Sequence, residues 1–165
     1  VIMPPDDPCI DGVADSKLVK RAERERLVEE IMHKAIAVGI GAASVREIDQ
    51  INIYQATVLA MRRAIHRLGI TPGHVVIDGK PIRTLEIEHT AIVGGDAVCY
   101  SIACASLVAK VTRDRVMAQL AKRHPAYAWE RNAGYGTRAH LEALSAAGIC
   151  VHHRKSFGPV QCLIP

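Results

Sequence analysis

The stretch VVIDGK, residues 75–80, sets three apolar residues in succession before an aspartate, a glycine and a lysine, with Pro81 closing it off. Apolar residues without alternation mark a strand covered on both faces, so 74–78 reads as a central strand of a parallel sheet. A second such run, 90–93, ends at Gly94-Gly95-Asp96. Helical periodicity lies on either side of the pair. From Ile53 the apolar positions are 53, 56, 60, 61, 64, 65 and 68, one buried helical face that Thr71-Pro72-Gly73 stops. After Asp96, SIACASLVAKVTRDRVMAQLAKR runs without a breaker to His124-Pro125, and its first half is apolar almost all round. This helix should begin buried and end exposed. Helices alternating with such strands mean an α/β fold.

Working outward, Leu18, Val19, Ala22, Leu27, Ile31 and Ala35 stand among many charges after Asp15-Ser16. The pattern is helical, with Asp15 or Ser16 as N-cap. The short apolar run IAVGIGAA, 36–43, fits a strand, and Ser44-Val45-Arg46-Glu47 is a capping box that should start a helix. YAWERNAGYGT, 127–137, reads as a Gly-rich aromatic loop, and a helix through Leu141 and Leu144 ends at Gly148. The tail HHRKSFGPV reads as polar and irregular.

Composition bounds the answer. The 165 residues are 49% hydrophobic and 23% charged, which is globular and enough for a sizeable core, and residues 1–165 are read as a single domain. No apolar run is long enough to span a membrane and no secretory signal opens the chain, so a soluble, cytoplasmic protein is expected. Cys9, Cys99, Cys104, Cys150 and Cys162 contain no C-x-x-C pair and are expected to be free thiols, mostly buried. The net charge of +4 suits a polyanionic partner without specifying one. The chain opens Val1-Ile2-Met3 rather than with methionine, like the end of an apolar strand, and is expected to be a fragment.

Asp78 and Asp96 each follow an apolar strand directly, and in an open α/β sheet the carboxyl ends of neighbouring strands converge on the ligand crevice. Two carboxylates sharing such a crevice repel unless one is protonated or a cation lies between them. Hard oxygen donors suit Mg²⁺ or Mn²⁺. On spacing alone, each aspartate also fits as a plain turn or helix cap. His152 and His153 are adjacent, so their side chains point apart, and they read as polar tail residues rather than a metal pair.

Six segments in order are DSK (15–17), EIDQINIYQATVLAMRRAI (47–65), VIDG (76–79), GDAVCYSIACASLVAKVTRDRVM (95–117), GYGT (134–137) and HRKSFGPV (153–160). Together they resemble ribonuclease HII, the type 2 ribonuclease H family, over nearly the whole chain. The resemblance implies a ribonuclease H-like fold, a central mixed sheet flanked by helices. It also implies an endonuclease that cuts the RNA strand of RNA–DNA hybrids, including a single ribonucleotide embedded in duplex DNA. That chemistry uses two divalent ions, Mn²⁺ or Mg²⁺, held by four acids, the third matching Asp78 and the fourth Asp96. Tyr135 matches the tyrosine with which the family reads the RNA-to-DNA junction. Lys17, Lys110 and Arg113 look like phosphate-facing groups or supports of the site, and surface ion pairs remain an equal reading. Asp114 is given a helix N-terminal or pairing role, not a metal. A monomer is expected, with a replication clamp as a further partner.

The departures are informative. The family's first two acids lie in an Asp-Glu-Ala-Gly-Arg-Gly motif that does not occur in this sequence. Leu18 stands where a second lysine is usual, Gly94 where a lysine often precedes Gly-Asp, and Cys104 within a usually all-alanine stretch. Two functions follow as expectations: a metal-dependent endonuclease represented by an incomplete sequence, or a catalytically inactive nucleic-acid-binding remnant. The non-Met start favours the first.

Overall fold

A computed structural model describes residues 1–6 and 9–163. It divides into two compact units, Val1–Ala42 with Thr57–Val111, and Ala43–Ala56 with Thr112–Pro165.

In the first unit, β1 (Val75–Asp78) and β2 (His89–Ile92) pair in parallel, Val75 opposite His89 through to Asp78 opposite Ile92. The expected strands are there, but the sheet among the described residues is two-stranded, so neither strand is central. Ile77 of β1 packs with Ile82 and Leu85 from the connection between the strands, and with Val58 from helix α2 (Val45–His66). Helix α1 (Arg21–Lys34) sets Leu27, Val28 and Ile31 against Ile10 and against Cys104, Leu107, Val108 and Val111 of the long helix α4 (Tyr100–Arg123). The short helix α3 (Gly95–Val98) precedes α4. The apolar first half of α4 is buried as its composition requires.

Two expectations for this unit need correction. Helix α1 starts at Arg21, with Lys20 in the cap position and no side-chain cap. Asp15 Oδ1 instead accepts the Lys17 N–H at 2.9 Å, and the Ser16 hydroxyl lies 2.9 Å from that of Ser106. Both side chains are engaged elsewhere, and Leu18, counted on the apolar face, is 80% exposed. Segment 36–43 is not a strand either: Ala37 forms an isolated antiparallel bridge with Ile2 and no ladder follows. The carbonyls a ladder would use are taken by guanidinium groups, Arg67 donating to Ile40 O and Arg63 to Ala42 O, each at 2.7 Å.

The glycines of that segment explain the close approach. A Cβ on Gly41 would fall inside the Ala60 carbonyl of α2 and lie 2.6 Å from the Ala64 nitrogen. Helix backbone cannot move aside as a side-chain tip can. Gly41→Ala is therefore expected to cost at least about 2–3 kcal/mol, read as a shift in denaturant midpoint. A loss under about 0.5 kcal/mol, the scatter of neutral surface changes, would show that this segment does not lie against α2.

In the second unit the capping box forms as read. Ser44 N–H donates to Glu47 Oε2 at 2.7 Å, and Glu47 N–H returns a bond to Ser44 Oγ at 3.3 Å. Helix α2 is kinked at Asn52 (φ 67°, ψ 166°), whose Oδ1 accepts the Gln55 N–H at 3.1 Å and restarts the helix. The core holds Ala121, Tyr127, Trp129 and Leu144, the last from helix α6 (Arg138–Ala147). Where the sequence suggests a loop, 127–137, a 3₁₀ turn at Pro125–Tyr127 and helix α5 (Trp129–Asn132) pack the aromatics inward. The Tyr127 hydroxyl donates to Gly148 O at 3.0 Å. Thr137 Oγ1 caps α6, and Gly148 ends it at φ 73° as expected.

The tail is ordered rather than irregular. Asp49 accepts the N–H groups of Lys155 and Ser156 at 3.0 and 2.9 Å and the Ser156 hydroxyl at 2.6 Å. Helix α7 (Gly158–Gln161) follows. Desolvation pushes the Asp49 carboxyl up, but the Ser156 hydroxyl and the two backbone donors outweigh it and hold the group below its ordinary pKa. All five cysteines are free, yet only Cys104 is buried; Cys9 and Cys162 are exposed. Among the described residues no helix is long and apolar enough to cross a membrane.

Candidate active site

Asp78 is the last residue of β1, and β2 ends opposite it at Ile92. Gly79 takes φ 102° and returns its N–H to Ile92 O at 2.9 Å, turning the chain away so that the Asp78 carboxylate stays open to solvent. The chain leaving β2 turns back through Gly94 (φ 67°) into α3. There Gly95 N–H donates to Asp78 Oδ1 at 2.9 Å. This one bond brings the residue next to Asp96 onto the Asp78 carboxylate, at the carboxyl end of both strands. Gly95 is itself fitted to its place, since a Cβ would lie 2.5 Å from Ile102 Cδ1.

Lys17 joins them from the turn before α1. Its Nζ lies 3.7 Å from Asp96 Oδ2 and 3.9 Å from Asp15 Oδ2. Its side chain is 79% exposed, so the pairing adds no more than about 1 kcal/mol. Its effect is electrostatic, a cation beside a carboxylate that is only 13% exposed. Asp15, read from sequence as a helix cap, orients this lysine instead. The usable signal was its position two residues before Lys17, the spacing of an Asx turn.

The other sequence-chosen residues stand elsewhere on the chain. Lys110 lies in the part of α4 that belongs to the first unit. Arg113 and Tyr135 belong to the second, where the guanidinium sits 4.8 Å from the tyrosine ring centroid. That stacking gives the Arg113 guanidinium an aromatic partner. Tyr135 is 56% exposed on a turn that passes through Ala133 (φ 46°) and Gly134 (φ 78°). A Cβ at Gly134 would meet Met117 Cε at 3.0 Å. Asp114 lies in the middle of α4, which removes the helix N-terminal role and leaves the pairing one. His153 is not a polar tail residue: it is 7% exposed, its Nδ1 accepting the Cys150 N–H at 3.0 Å. A cavity of about 440 Å³ by the α2 kink, lined in part by Asn52, Arg154 and Phe157, contains none of the residues chosen from sequence.

For a divalent ion, Asp78 and Asp96 offer the right kind of donor, hard carboxylate oxygen. Among the described residues no three His, Cys, Asp or Glu side chains come together as a metal-holding group. The residues present therefore fit a divalent ion in donor type, with two carboxylates near one another.

The Ribonuclease HII family model matches residues 10–160. The chain belongs to the ribonuclease HII family. Ribonuclease HII of Thermosynechococcus vestitus is 53% identical over all of this chain and 76% of its own length. The enzyme of that name from Paraburkholderia xenovorans is 47% identical over 98% of the chain. For Bacillus thuringiensis strain Al Hakam the identity is 49% over 97% of the chain. The chain spans 65% and 62% of the length of these last two ribonucleases HII. In fold, the crystal structure of ribonuclease H2 from Pyrococcus horikoshii superposes with a TM-score of 0.75 at 19% identity, covering 92% of this chain and 80% of that one. The ribonuclease H-like α/β architecture implied by the motifs is thus the one observed.

Proposed function

We propose that this chain carries Asp78 and Asp96, two metal-binding carboxylates of an endonuclease. Its substrate is the RNA strand of RNA–DNA hybrids, including single ribonucleotides embedded in duplex DNA. The observation that carries the reading is the Gly95 N–H bond to Asp78, because it holds both acids at one end of a parallel strand pair. Bound Mn²⁺ or Mg²⁺ would supply an activated water and charge for the leaving 3′ oxygen. Asp78, the more open carboxylate, is the central ligand, with one oxygen steadied by the Gly95 N–H. Asp96 would be the second, and Lys17 balances its charge. Lys17 and Lys110 meet phosphates, which position a duplex without reading its sequence. Tyr135 meets the ribose at the RNA-to-DNA junction, where the 2′-OH marks the substrate. In this reading the two units belong to one ribonuclease H-like domain.

Tyr135 gives the test of substrate class. In the chain extended by a segment with the family's Asp-Glu-Ala-Gly-Arg-Gly motif, Tyr135→Ala is expected to lower cleavage at an embedded ribonucleotide by on the order of tenfold to a hundredfold, the scale of one stacking contact of about 1–3 kcal/mol. Affinity for all-DNA duplex should change little, since phosphates supply most of it. Equal losses in cleavage and in duplex affinity would sink the assignment.

A further inference from the structure

Behind Tyr135 lies a buried run of hydrogen bonds that the proposed chemistry does not use. Trp129 Nε1–H donates to His140 Nε2 at 3.1 Å, and the Nε2 atoms of His140 and His153 stand 3.4 Å apart. On the outer side, His140 Nδ1 lies 2.9 Å from the carbonyl oxygen of Tyr135. On the inner side, Cys150 N–H donates to His153 Nδ1 at 3.0 Å. His140 and His153 are 4% and 7% exposed.

The donors fix the tautomers. Indole and backbone N–H groups only donate, and a neutral imidazole has one donor and one acceptor nitrogen. Trp129 makes His140 Nε2 an acceptor, which leaves its proton on Nδ1, directed at the Tyr135 carbonyl. Cys150 makes His153 Nδ1 an acceptor, which leaves its proton on Nε2, directed at His140 Nε2. One assignment engages all four nitrogens with both rings neutral, the single lone pair of His140 Nε2 being shared by Trp129 and, at the longer distance, His153. Burial first, and then the neighbouring His140, push His153 below its ordinary pKa, with His152 and His124 acting in the same direction. The nearest rings, Tyr127 at 4.7 Å from His153 and Trp129 at 5.2 Å, bring no charge.

The Tyr135 backbone needs such a hold. It leaves α5 through two successive left-handed residues, Ala133 and Gly134, and no strand ladder supports it. Its N–H donates to Asn132 O and its carbonyl accepts the Thr137 N–H, each at 2.8 Å, both within the turn itself. His140 is a donor from a packed helix, with its ring wedged against Trp129 and Tyr127. We infer that His140 is a positioning residue for substrate recognition: kept in its Nδ1–H tautomer by Trp129 and His153, it clamps the Tyr135 carbonyl and fixes where the phenol ring meets a ribonucleotide. The inference rests on the reading of Tyr135 as a substrate contact. Placement errors near 1 Å cost about a hundredfold in pre-organised sites, so the backbone of a reading residue is worth clamping.

Two variants of His140 separate clamping from plain packing. In His140→Gln the side-chain oxygen reaches the Nε2 position, keeping the acceptor for Trp129 and losing the donor to Tyr135. In His140→Asn the amide nitrogen stands near Nδ1, keeping the donor and losing the acceptor. The readouts are the ¹⁵N imidazole spectrum of the chain at neutral pH, and the ratio of affinities for a duplex with one embedded ribonucleotide and the same duplex in DNA alone. The wild-type spectrum is expected to show His140 protonated on Nδ1 and His153 on Nε2. The affinity ratio should fall about tenfold in His140→Gln, the scale of one lost hydrogen bond, and stay within about twofold of wild type in His140→Asn. A His140 protonated on Nε2, or equal losses in the two variants, overturns the clamp. An unchanged ratio in Tyr135→Ala overturns the reading of Tyr135 and takes the inference with it. A normal loss in Tyr135→Ala with none in His140→Gln overturns the inference alone.

Discussion

In the chain extended by a segment with the acidic motif of its family, Asp78→Asn is expected to reduce cleavage of a duplex carrying one ribonucleotide by more than about a hundredfold, with the melting temperature nearly unchanged. The magnitude follows from comparison, since removing a group that merely orients a metal ligand costs about 10–100-fold, and a ligand itself should cost more. Stability is spared for two reasons. The carboxylate is exposed, so no buried charge loses a partner, and an asparagine oxygen can still accept the Gly95 N–H. What disappears is the negative charge. The measurement pairs a cleavage time course in Mn²⁺ and in Mg²⁺ with a thermal melt of both proteins. Residual cleavage within about tenfold of wild type would remove Asp78 from the site.

A larger contrast is expected between the 165 residues alone and the extended chain. The shorter protein should show no metal-dependent cleavage, because two carboxylates do not hold a pair of divalent ions and no third His, Cys, Asp or Glu joins them among the described residues. Lys17 adds to the effect, since its ammonium beside Asp96 competes with an incoming cation. Supplying a segment with Asp-Glu-Ala-Gly-Arg-Gly should restore cleavage in both metals and outweigh the lysine's single charge. Cleavage by the short chain would show that Asp78 and Asp96 suffice. Hybrid binding without cleavage by the long one would favour the inactive-remnant alternative.

What could be read in advance divides along a physical line. The strands around VVID and HTAI, the long α4, the capping box at Ser44 and the stop at Gly148 are written in local periodicity and turn chemistry. The placing of Asp78 at the end of β1 and of Asp96 soon after β2 was legible because a carboxylate after an apolar strand is a local pattern too. Most of the failures arise where a distant residue decides. Segment 36–43 has a strand's composition, but Arg63 on α2 and Arg67 just past its end take its carbonyls. The tail is polar, yet Asp49, over a hundred positions earlier, orders it. His153 looked like a surface residue because nothing in its neighbourhood along the chain points to Trp129 and His140. Asp15 was misassigned because capping and Asx turns call on the same side chain.

Trp129 has a practical meaning of its own. It is the chain's single tryptophan, 2% exposed, and lies wholly within the second unit. Its fluorescence therefore watches the aromatic core under Tyr135 and is blind to the strands that carry Asp78 and Asp96. Far-ultraviolet ellipticity reports on both units, since α1 lies in the first, α6 in the second, and α2 and α4 contribute residues to each. Followed together in one urea titration, the two signals show directly whether the acid-bearing and tyrosine-bearing halves melt as one cooperative body or in sequence.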